Sequence, residues 1–563
     1  MIDLSLTIPD LFLRAIREHG DEPALLTKYS GQFKSSTWAE VGQEVARTVD
    51  ALVNLRLLPA EHVVQISENR REWVIFDLAC HLTGKVHVPL HASLSATQLA
   101  EQINHCQAPV VLLSTPEQAR KLEQVRDRLS ADVQFFSYDP CPSESLVISS
   151  WASAVEQGTV QRSDAGGRLD SVQMPHDLAT ILYTSGTTGE PKGVMLRQRN
   201  LSFNAQGTVE MYGAASERET RLNILPLSHI FARTCDLYAW LVRGSTLALA
   251  ESRESVLEDL QLVRPTTING VPYFFERLRK ILCERGLEKP PGALQQLLGG
   301  RIRSCTSGGA PLSPATIDFF AAQEIPLLQG YGLTESSPVI TMSPLDRYRP
   351  GTSGLPLPGV EIRLADDGEV LTRGPHVMEG YYQNPAATAK AIRDGWLHTG
   401  DLGQIDRDGY LTINGRKKEL IVLSTGRKIA PSLLENRLLQ EPLIAQAMVV
   451  GEGRSHLAAL IVPNPEALRR EIGARGISLA SREEALVHPQ VLAIYLEHIA
   501  ALLVDLSPQE QVRHVTLVPR AFSIEQDEIT PKLTLRRAVI CQNFATEIDA
   551  MFESETCTQR APP

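Results

Sequence analysis

The sequence predicts an α/β fold: a large N-terminal domain of α/β subdomains plus a β-rich subdomain, followed by a small C-terminal α+β domain. Its 563 residues exceed the size of one ordinary domain, so two to four structural units are expected. Up to about residue 329, helical patterns alternate with short β-branched runs, which is typical of α/β domains. Hairpin signals then replace this alternation until about residue 415, where a second α/β pattern begins.

Local signals place the first elements. Residues 7–10 (TIPD) have the pattern of a helix start, and apolar residues follow on one face. The runs 63–66 (VVQI) and 109–113 (PVVLL) predict buried strands. A third apolar run, 178–183, predicts a buried strand, and the polar stretch 161–174 predicts a surface loop before it.

Two turn signals predict the β-rich subdomain. Apolar residues alternate over 360–364 before the turn sequence DDG at 366–368, and a second hairpin is expected around DG at 408–409. We therefore expect three regions: an N-terminal domain over 1–415, a C-terminal domain over 416–549, and a disordered polar tail over 550–563.

Composition and charge exclude several classes of protein. A hydrophobic content of 43% and a charged content of 21% are ordinary for a soluble globular protein. Apolar stretches of about 18 residues do not occur and charges interrupt the N-terminus, so neither a spanning helix nor a signal peptide is expected. The eight cysteines lack paired spacing, which predicts reduced thiols in the cytoplasm and no structural zinc. A net charge of −11 argues against nucleic-acid binding.

The strongest chemical signal is a loop rich in hydroxyl side chains and glycines. Residues 183–193 read YTSGTTGEPKG. Glycines let backbone N–H groups approach phosphate oxygens, hydroxyls donate hydrogen bonds, and Lys192 adds a positive charge. The string is not the P-loop, which requires G-x-x-x-x-G-K-[ST]. It favours phosphate binding over the alternative, a polar turn between two strands.

Five further motifs follow in the order of a known family. They read LPLSHIF (225–231), SGGAP (307–311), QGYGLTE (329–335), WLHTGD (396–401) and GRKKE (415–419). With the loop, they resemble the adenylate-forming superfamily, which includes acyl-CoA synthetases, luciferases and peptide-synthetase adenylation domains. The resemblance covers nearly the whole chain. It implies attack of a carboxylate on ATP to give acyl-AMP and pyrophosphate, transfer of the acyl group to a thiol, and a C-terminal domain that is mobile between these steps.

The resemblance also assigns individual phosphate-binding roles. Thr184 and Glu335 would flank a Mg²⁺ ion, and Thr334 would contact the α-phosphate. Without the resemblance, Glu335 would be taken for a surface glutamate after a turn. The complete set expected to bind the nucleotide comprises Thr184, Ser185, Gly186, Thr187, Thr188, Lys192, Gly308, Gly309, Ala310, Gln329, Gly330, Tyr331, Gly332, Thr334, Asp401 and Arg416.

Adenine and ribose would occupy the later motifs. By resemblance, adenine lies between the small-residue turn at 308–310 and the ring of Tyr331. Asp401 and Arg416 resemble the family's ribose-binding pair, since a carboxylate accepts and an arginine donates hydrogen bonds to vicinal hydroxyls. The alternative for this pair is a local salt bridge, which at a surface would contribute little.

Three residues have expected roles outside the nucleotide site. His229 would border the carboxylate and the acyl entrance and position the substrate, although a histidine among apolar residues is more often part of a core. Lys418 resembles the hinge about which the C-terminal domain rotates, and Gly426 the loop along the pantetheine path of CoA. The alternative for this basic segment is a solvated run of charges.

The chain departs from the family at its catalytic lysine. Residues 529–537 read ITPKLTLRR, and the family's Thr-Pro-Thr-x-Lys pattern places the lysine at Thr534. Lys532 stands two residues earlier, on the same face of an extended segment. We expect Lys532 to substitute for the missing lysine. The opposing hypothesis is that adenylation is crippled and the protein only binds nucleotide or acyl-AMP.

The motifs also favour one substrate class. Residues 271–278 (VPYFFERL) and the Thr-Pro string resemble the long-chain fatty acyl branch. We therefore predict an enzyme that uses Mg²⁺ and ATP to convert a medium- to long-chain fatty acid into acyl-CoA. Two alternatives stay open: an acyl-adenylate enzyme with a non-CoA acceptor, and a nucleotide-binding homologue without catalysis. Acyl chain length, oligomeric state and peripheral membrane contact also stay open.

Overall fold

The computed structural model describes residues 2–58, 60–158, 173–184, 191–214, 218–252, 254–288, 291–523, 525–529 and 535–553. Nearly all of the loop predicted over 161–174 lies outside these ranges. The described chain forms two large sheets, a five-stranded sheet and a C-terminal unit with a two-stranded and a three-stranded sheet.

The first large sheet has eight strands, and its parallel strands are the buried apolar runs of the sequence. The strands predicted at 63–66 and 109–113 are confirmed, and the run at 178–183 forms a strand that pairs antiparallel with its successor. In spatial order the strands are Gly380–Tyr381, Lys192–Arg197, Leu178–Thr184, Val86–Leu90, His62–Ile66, Val110–Leu113, Gln134–Ser137 and Ile148–Ser150.

The second large sheet has nine strands, with a parallel centre and antiparallel edges. In spatial order they are Leu355–Pro356, Val339–Met342, Leu327–Gly332, Ser304–Ser307, Thr267–Gly270, Thr220–Asn223, Thr246–Leu249, Pro23–Tyr29 and Gln32–Thr37.

Helices fill the space between these sheets and cover their outer faces. Thr7 caps the first helix as predicted, because its side chain accepts the N–H of Asp10 while Asp10 accepts the N–H of Thr7. Trp38 and Trp240 stack 4.3 Å apart in the shared core. The helices before residue 415 are Ile8–His19, Trp38–Asn54, Arg71–Thr83, Ala96–Cys106, Pro116–Glu123, Trp151–Gly158, Gln198–Tyr212, Ile230–Ala232, Ala239–Arg243, Val256–Val263, Pro272–Glu284, Ala293–Leu297, Pro314–Ala322 and Pro385–Ala391, with a π-helix at Arg233–Tyr238.

The predicted β-rich subdomain is the five-stranded sheet. Both hairpins occur: Leu364 pairs with Val370 across the first turn, and Ile405 with Leu411 across the second. Its strands are Glu361–Leu364, Glu369–Arg373, Ile392–Arg393, Trp396–Ile405 and Leu411–Arg416.

The C-terminal unit is built on a three-stranded sheet with an apolar cluster on each face. Its strands are Ile444–Val450, Leu457–Pro463 and Val512–Leu517, beside the pair Ile421–Val422 and Lys428–Ile429. Its helices are Pro431–Leu438, Pro465–Ala474, Arg482–Val487, Pro489–Leu502, Arg537–Asn543 and Ala545–Glu553.

One predicted boundary is wrong. Residues 550–553, which were expected to belong to the tail, are part of the last helix, Ala545–Glu553, and Met551 is buried in the second apolar cluster. Residues 554–563 lie outside the described residues.

Among the helices in the described ranges, none has both the length and the apolar character needed to cross a membrane.

Candidate functional site

The motif residues meet in one cleft of about 2950 Å³. Thr184 ends the strand Leu178–Thr184, Gly308 directly follows Ser304–Ser307, and Tyr331 lies near the end of Leu327–Gly332. Ligands of open α/β sheets bind at the carboxyl ends of the strands, and these residues occupy such ends. Residues of the C-terminal unit also line the cleft.

The hydroxyl loop is closed by a pair of strands. Thr184 and Lys192 stand directly opposite each other in the antiparallel ladder, so their side chains lie on the same face of the sheet. Both line the cleft. The loop between them includes four predicted contacts that lie outside the described residues: Ser185, Gly186, Thr187 and Thr188.

A tyrosine links the lysine of this loop to the predicted metal-binding glutamate. The ammonium of Lys192 lies 5.1 Å from the ring centroid of Tyr381. The Tyr381 hydroxyl donates to Oε1 of Glu335 at 2.7 Å. Burial, and then the charge of Glu335, raises the pKa of Tyr381, so this hydroxyl stays protonated. Thr334 is buried at the start of the adjoining 3₁₀ turn Thr334–Ser336, and the four residues form one polar end of the cleft.

The oxygen ligands at this end fit Mg²⁺. Thr184 offers a hydroxyl and Glu335 a carboxylate, which are ligands that a hard cation prefers. Within the described ranges, no group of three or more His, Cys, Asp or Glu side chains could hold a metal ion by itself. Mg²⁺ is commonly held by one or two carboxylates together with substrate phosphates. The residues therefore suit an ion that arrives with a nucleotide.

The small-residue turn at 308–310 also lines the cleft. A Cβ on Gly308 would lie 3.1 Å from the ring of Phe231, and Gly309 has φ +87°, so both positions favour glycine. Nε2 of Gln329 is buried, lines the cleft region and has no hydrogen-bond partner among the described residues. The turn leaves room for a flat ring beside a donor. Ala310, Gly330 and Gly332 also line the cleft.

Tyr331, Asp401 and Arg416 form one group joined by a hydrogen bond and an ion pair. The Tyr331 hydroxyl donates to Oδ2 of Asp401 at 2.8 Å, and Nε of Arg416 forms an ion pair with Oδ1 at 3.0 Å. Asp401 and Arg416 pair in register on neighbouring strands. Burial raises the pKa of Asp401, and Arg416 and Tyr331 act in the opposite direction. Because Asp401 is buried at the cleft wall, the pair is not an ordinary surface salt bridge.

His229 is held in one orientation. Its Nδ1 accepts the N–H of Phe231 at 3.1 Å and so caps the short helix Ile230–Ala232. The ring of His91 lies parallel to it at 6.3 Å, and Nδ1 of His91 contacts the Ser228 hydroxyl at 2.7 Å. Since Nδ1 is an acceptor, a neutral His229 carries its proton on Nε2. The ring lines the cleft in a fixed position.

The start of the C-terminal unit is tied to the strand that carries Asp401. Lys417 contacts Asp367 and donates to Glu369 at 3.1 Å, while Glu369 accepts the N–H of Gly400 at 2.9 Å. Lys418 is exposed in the 3₁₀ turn Lys417–Glu419 and lines the cleft.

Of the remaining predicted residues, Gly426 is described but does not line the cleft, and Lys532 lies outside the described residues. Gly426 has φ +80° at the exposed tip between the strands Ile421–Val422 and Lys428–Ile429, away from the described lining of the cleft. Lys532 and Thr534 lie outside the described residues. Ile529 and Leu535, on either side of that segment, pair with each other, and both line the cleft.

Comparison with protein-family models gives the chain its family. Residues 12–382 match the AMP-binding enzyme model, and residues 418–556 match the AMP-binding enzyme C-terminal domain model. The chain belongs to the AMP-binding enzyme family. The resemblance inferred from the motifs is thereby confirmed.

Curated relatives of this AMP-binding enzyme match over most of its length. The long-chain-fatty-acid–CoA ligase FadD15 of Mycobacterium tuberculosis is 31% identical, covering 93% of this chain and 93% of the relative. The long-chain-fatty-acid–CoA ligase 1 of Homo sapiens is 29% identical, covering 97% of this chain and 87% of the relative.

Solved structures confirm the α/β fold. The A-PCP didomain of carboxylic acid reductase from Segniliparus rugosus, in complex with AMP, superposes with a TM-score of 0.81 at 20% identity, covering 98% of this chain and 83% of that one. The o-succinylbenzoate CoA synthetase of Bacillus subtilis, with ATP and magnesium, gives a TM-score of 0.72 at 22% identity, covering 94% and 98%.

Sequence reasoning missed three residues of the cleft: Tyr381, Glu369 and Lys417. Tyr381 gave no motif signal, because its two-residue strand is defined only by pairing with Lys192–Arg197. Glu369 and Lys417 lie 48 positions apart, so no local pattern joins them.

Proposed function

We propose that this AMP-binding enzyme activates a medium- to long-chain fatty acid with ATP and transfers the acyl group to CoA. One observation carries the proposal: a single cleft brings Lys192 and Glu335 together with Tyr331 and Asp401. The first two residues suit the phosphates of ATP, and the last two suit its nucleoside. Similarity to a long-chain-fatty-acid–CoA ligase over 93% of the chain supports the fatty acyl substrate and CoA as acceptor.

In the first step, the fatty carboxylate attacks the α-phosphorus, the bond to pyrophosphate breaks, and acyl-AMP remains. Lys192 and the hydroxyl loop hold the negative charge of the leaving pyrophosphate. Thr334 donates to the α-phosphate, and His229 positions the carboxylate. Mg²⁺ held by Thr184 and Glu335 neutralises phosphate charge when bound.

Asp401 and Arg416 hold the ribose, and the turn at 308–310 and Tyr331 hold adenine. The buried, unpartnered Nε2 of Gln329 supports this assignment, because a purine ring nitrogen can accept its hydrogen.

Lys532 is the proposed donor that bridges the carboxylate and the α-phosphate. Its flanking residues Ile529 and Leu535 line the cleft. Lys532→Ala should lower the rate of adenylation roughly 10²–10³-fold, which corresponds to an increase of about 2.7–4 kcal/mol in activation free energy. Thr534→Ala should keep a rate near that of the wild type. Single-turnover formation of acyl-AMP measures both variants. The reverse pattern would transfer the role to position 534, and full activity of both would remove it from the segment.

In the second step, a domain over 416–549 rotates on Lys418 against the domain over 1–415, and the CoA thiol attacks the acyl carbonyl and releases AMP. Gly426 then lines the pantetheine path. Its exposed position on a hairpin tip allows such a movement without breaking a core.

A cytoplasmic location fits these substrates. The seven cysteines in the described part of the chain are free thiols, which supports a reducing compartment.

The proposal is tested by pyrophosphate release from ATP and Mg²⁺ with C6 to C18 acids, with and without CoA. Acid-dependent release that CoA accelerates is the expected result. Acid-dependent release indifferent to CoA would favour another acceptor, such as a carrier protein. Measurable ATP binding without release would favour a nucleotide-binding homologue.

A further inference from the structure

His229 ends a tight turn, residues 226–229, that comes after the strand Thr220–Asn223 of the nine-stranded sheet. The N–H of His229 donates to the carbonyl of Pro226 at 2.9 Å and closes this turn. His229 lines the described cleft, whereas residues 225–227 do not. The place of the histidine ring in the cleft therefore depends on what holds the backbone on the far side of the turn.

One asparagine from the other large sheet holds that backbone. Asn69 follows the strand His62–Ile66 of the eight-stranded sheet. Its Nδ2 donates to the carbonyl of Leu225 at 2.7 Å, and its Oδ1 accepts the N–H of Leu227 at 2.8 Å. These two backbone groups flank Pro226, so a single side chain fixes the chain on both sides of the residue that begins the turn. Asn69 does not line the described cleft, so it can affect the site only through this backbone.

A second asparagine supports the first. Nδ2 of Asn69 also donates to Oδ1 of Asn223 at 2.7 Å, and Nδ2 of Asn223 donates to the carbonyl of Leu225 at 3.0 Å. Asn223 is fully buried, and its Nδ2 donates in addition to Oδ2 of Asp236 at 2.9 Å. Loss of the Asn69 amide would leave polar groups beside this buried network without their partners, which is unfavourable.

The loop that carries Asn69 is fixed on both sides of this residue. Glu68 accepts from Nε2 of Gln118 at 2.9 Å, and Nη2 of Arg70 donates to Oδ1 of Asp139 at 3.0 Å. Both partners lie beyond later strands of the same eight-stranded sheet. The asparagine is thus oriented before any substrate binds, as a residue that supports a site needs to be.

We propose that Asn69 is a positioning residue for the fatty acid, because it sets the place of the His229 ring in the cleft through the backbone of residues 225–227. This inference rests on the proposed function, in which His229 positions the carboxylate. A misplacement of about 1 Å can lower a rate about 100-fold, so a loss of these hydrogen bonds should be visible in catalysis.

The test measures pyrophosphate release with the acid that the wild type prefers among C6 to C18. Asn69→Ala should lower kcat/KM for this acid roughly tenfold to 100-fold, because three hydrogen bonds that hold the turn are lost. The dissociation constant for ATP, measured by calorimetry without acid, should stay within about twofold of the wild type. The calorimetric stoichiometry gives the folded fraction, by which kcat/KM is corrected.

An isosteric variant separates hydrogen bonding from packing. Asn69→Asp keeps the size of the side chain but removes both hydrogen bonds that Nδ2 donates. Its kcat/KM for the acid should be at least as low as that of Asn69→Ala. A kcat/KM near that of the wild type would overturn the inference, because it would show that the volume of the side chain is sufficient.

Asn200→Ala is the matched control. Nδ2 of Asn200 donates to the carbonyls of Pro375 and Val377 at 2.7 and 3.0 Å, and its Oδ1 accepts the N–H of Arg197 at 2.7 Å. The control therefore also loses three hydrogen bonds, and none of these residues lines the described cleft. Its kcat/KM for the acid, corrected for the folded fraction, should stay within about twofold of the wild type.

A double-mutant cycle separates positioning from structural support. His229→Ala removes the ring that Asn69 is proposed to place. Asn69→Ala added to His229→Ala should then change kcat/KM for the acid by no more than about twofold, because the group through which Asn69 acts is absent. A residue with only a structural role would lower kcat/KM by the same factor in both backgrounds.

Several outcomes would overturn the inference and leave the proposed function intact. They are equal factors in the two backgrounds, a wild-type kcat/KM in Asn69→Ala or in His229→Ala, and a loss in Asn69→Ala that Asn200→Ala matches. Asn69→Ser takes the place of Asn69→Ala in the cycle if the alanine variant does not fold. No release by the wild type with any acid from C6 to C18 would overturn both proposals.

Discussion

At the scale of single residues, the carboxylate of Asp401 is held between a hydroxyl and a guanidinium. Tyr331 donates to one oxygen, Arg416 forms an ion pair with the other, and burial opposes the negative charge that they stabilise. These contacts fix the orientation of the Asp401 carboxylate, the expected acceptor for the ribose hydroxyls, before any ligand binds. The side-chain entropy lost on binding is therefore smaller.

The tyrosine in this group can be tested apart from its ring. Tyr331→Phe keeps the stacking face and removes the hydroxyl. The dissociation constant for ATP should therefore rise roughly twofold to tenfold, which corresponds to a loss of about 0.5–1.5 kcal/mol in binding free energy. Isothermal titration calorimetry measures it. The matched control is Tyr410→Phe, whose hydroxyl donates to the carbonyl of Arg347 and lies away from the described cleft lining. Equal affinity in both variants would contradict a role for the Tyr331 hydroxyl.

Neighbouring tyrosines at 381 and 382 offer a second comparison. Tyr381 donates to Glu335, whereas the ring of Tyr382 packs against His62 and His105 on the other face of the strand. Tyr381→Phe should raise the Mg²⁺ concentration for half-maximal pyrophosphate release roughly twofold to tenfold, because Glu335 loses a partner that orients it. This change corresponds to about 0.5–1.5 kcal/mol of apparent binding free energy. Tyr382→Phe should not. A Mg²⁺ response that is the same in both variants would argue against metal binding by Glu335.

At the scale of elements, the π-helix Arg233–Tyr238 is attached to both large sheets. Arg233 contacts Asp77 and Thr180 on the side of the eight-stranded sheet, while Asp236 accepts from Asn223 and Asn269 of the nine-stranded sheet. A single π-helical segment thus directs Arg233 toward one sheet and Asp236 toward the other. Such π-helical turns are often found at functional sites.

Removing the charge of Arg233 should destabilise the whole domain. Arg233 and Asp77 are fully buried, so Arg233→Met leaves an uncompensated carboxylate and should lower the free energy of unfolding by about 3–5 kcal/mol. Urea unfolding followed by tryptophan fluorescence measures it. The control Arg373→Met breaks an exposed pair with Glu361 and should cost about 1 kcal/mol or less. If Arg233→Met lowers the free energy of unfolding by no more than the control, the Arg233–Asp77 pair contributes little to stability.

Element order and hairpin pairing were readable from the sequence, whereas pairing between distant segments was not. The helix at Thr7, the strands at 63–66 and 109–113 and both hairpins follow from caps, β-branched runs and turn residues, which are local signals. The strand Gly380–Tyr381 was missed because two residues carry no periodicity. The end of the last helix was placed too early, since the burial of Met551 depends on the sheet it packs against.

At the scale of the whole molecule, three buried histidines make stability depend on pH. Burial lowers the pKa of His81 and His376 to about 3 and that of His87 to about 4. In the unfolded chain these groups titrate near about 6.5. Between these values the unfolded state binds protons that the native state excludes, so the free energy of unfolding falls as pH falls from about 6.5 toward 4.

His376 isolates one part of this effect. It lies apart from the other two, with Nε2 2.9 Å from the Thr372 hydroxyl. His376→Gln should reduce the loss of stability between pH 6.5 and 5 by up to about 1.4 kcal/mol per pH unit. Urea unfolding across this range measures the slope, and His176→Gln, at an exposed position, is the control. An unchanged slope in His376→Gln would contradict the buried, neutral state of this histidine.

The sequence by itself determined the family and most residues of the candidate site, because phosphate, ribose and base contacts need glycines, hydroxyls and charges in short strings. The pair expected to bind ribose, Asp401 and Arg416, stands in register on adjacent strands of a hairpin and forms an ion pair, so a local pattern brings these two residues together. Only the tertiary structure decided that Tyr381 donates to Glu335 and that Lys417 donates to Glu369. These contacts join segments far apart in the chain, and their geometry depends on how sheets and helices pack rather than on any local pattern.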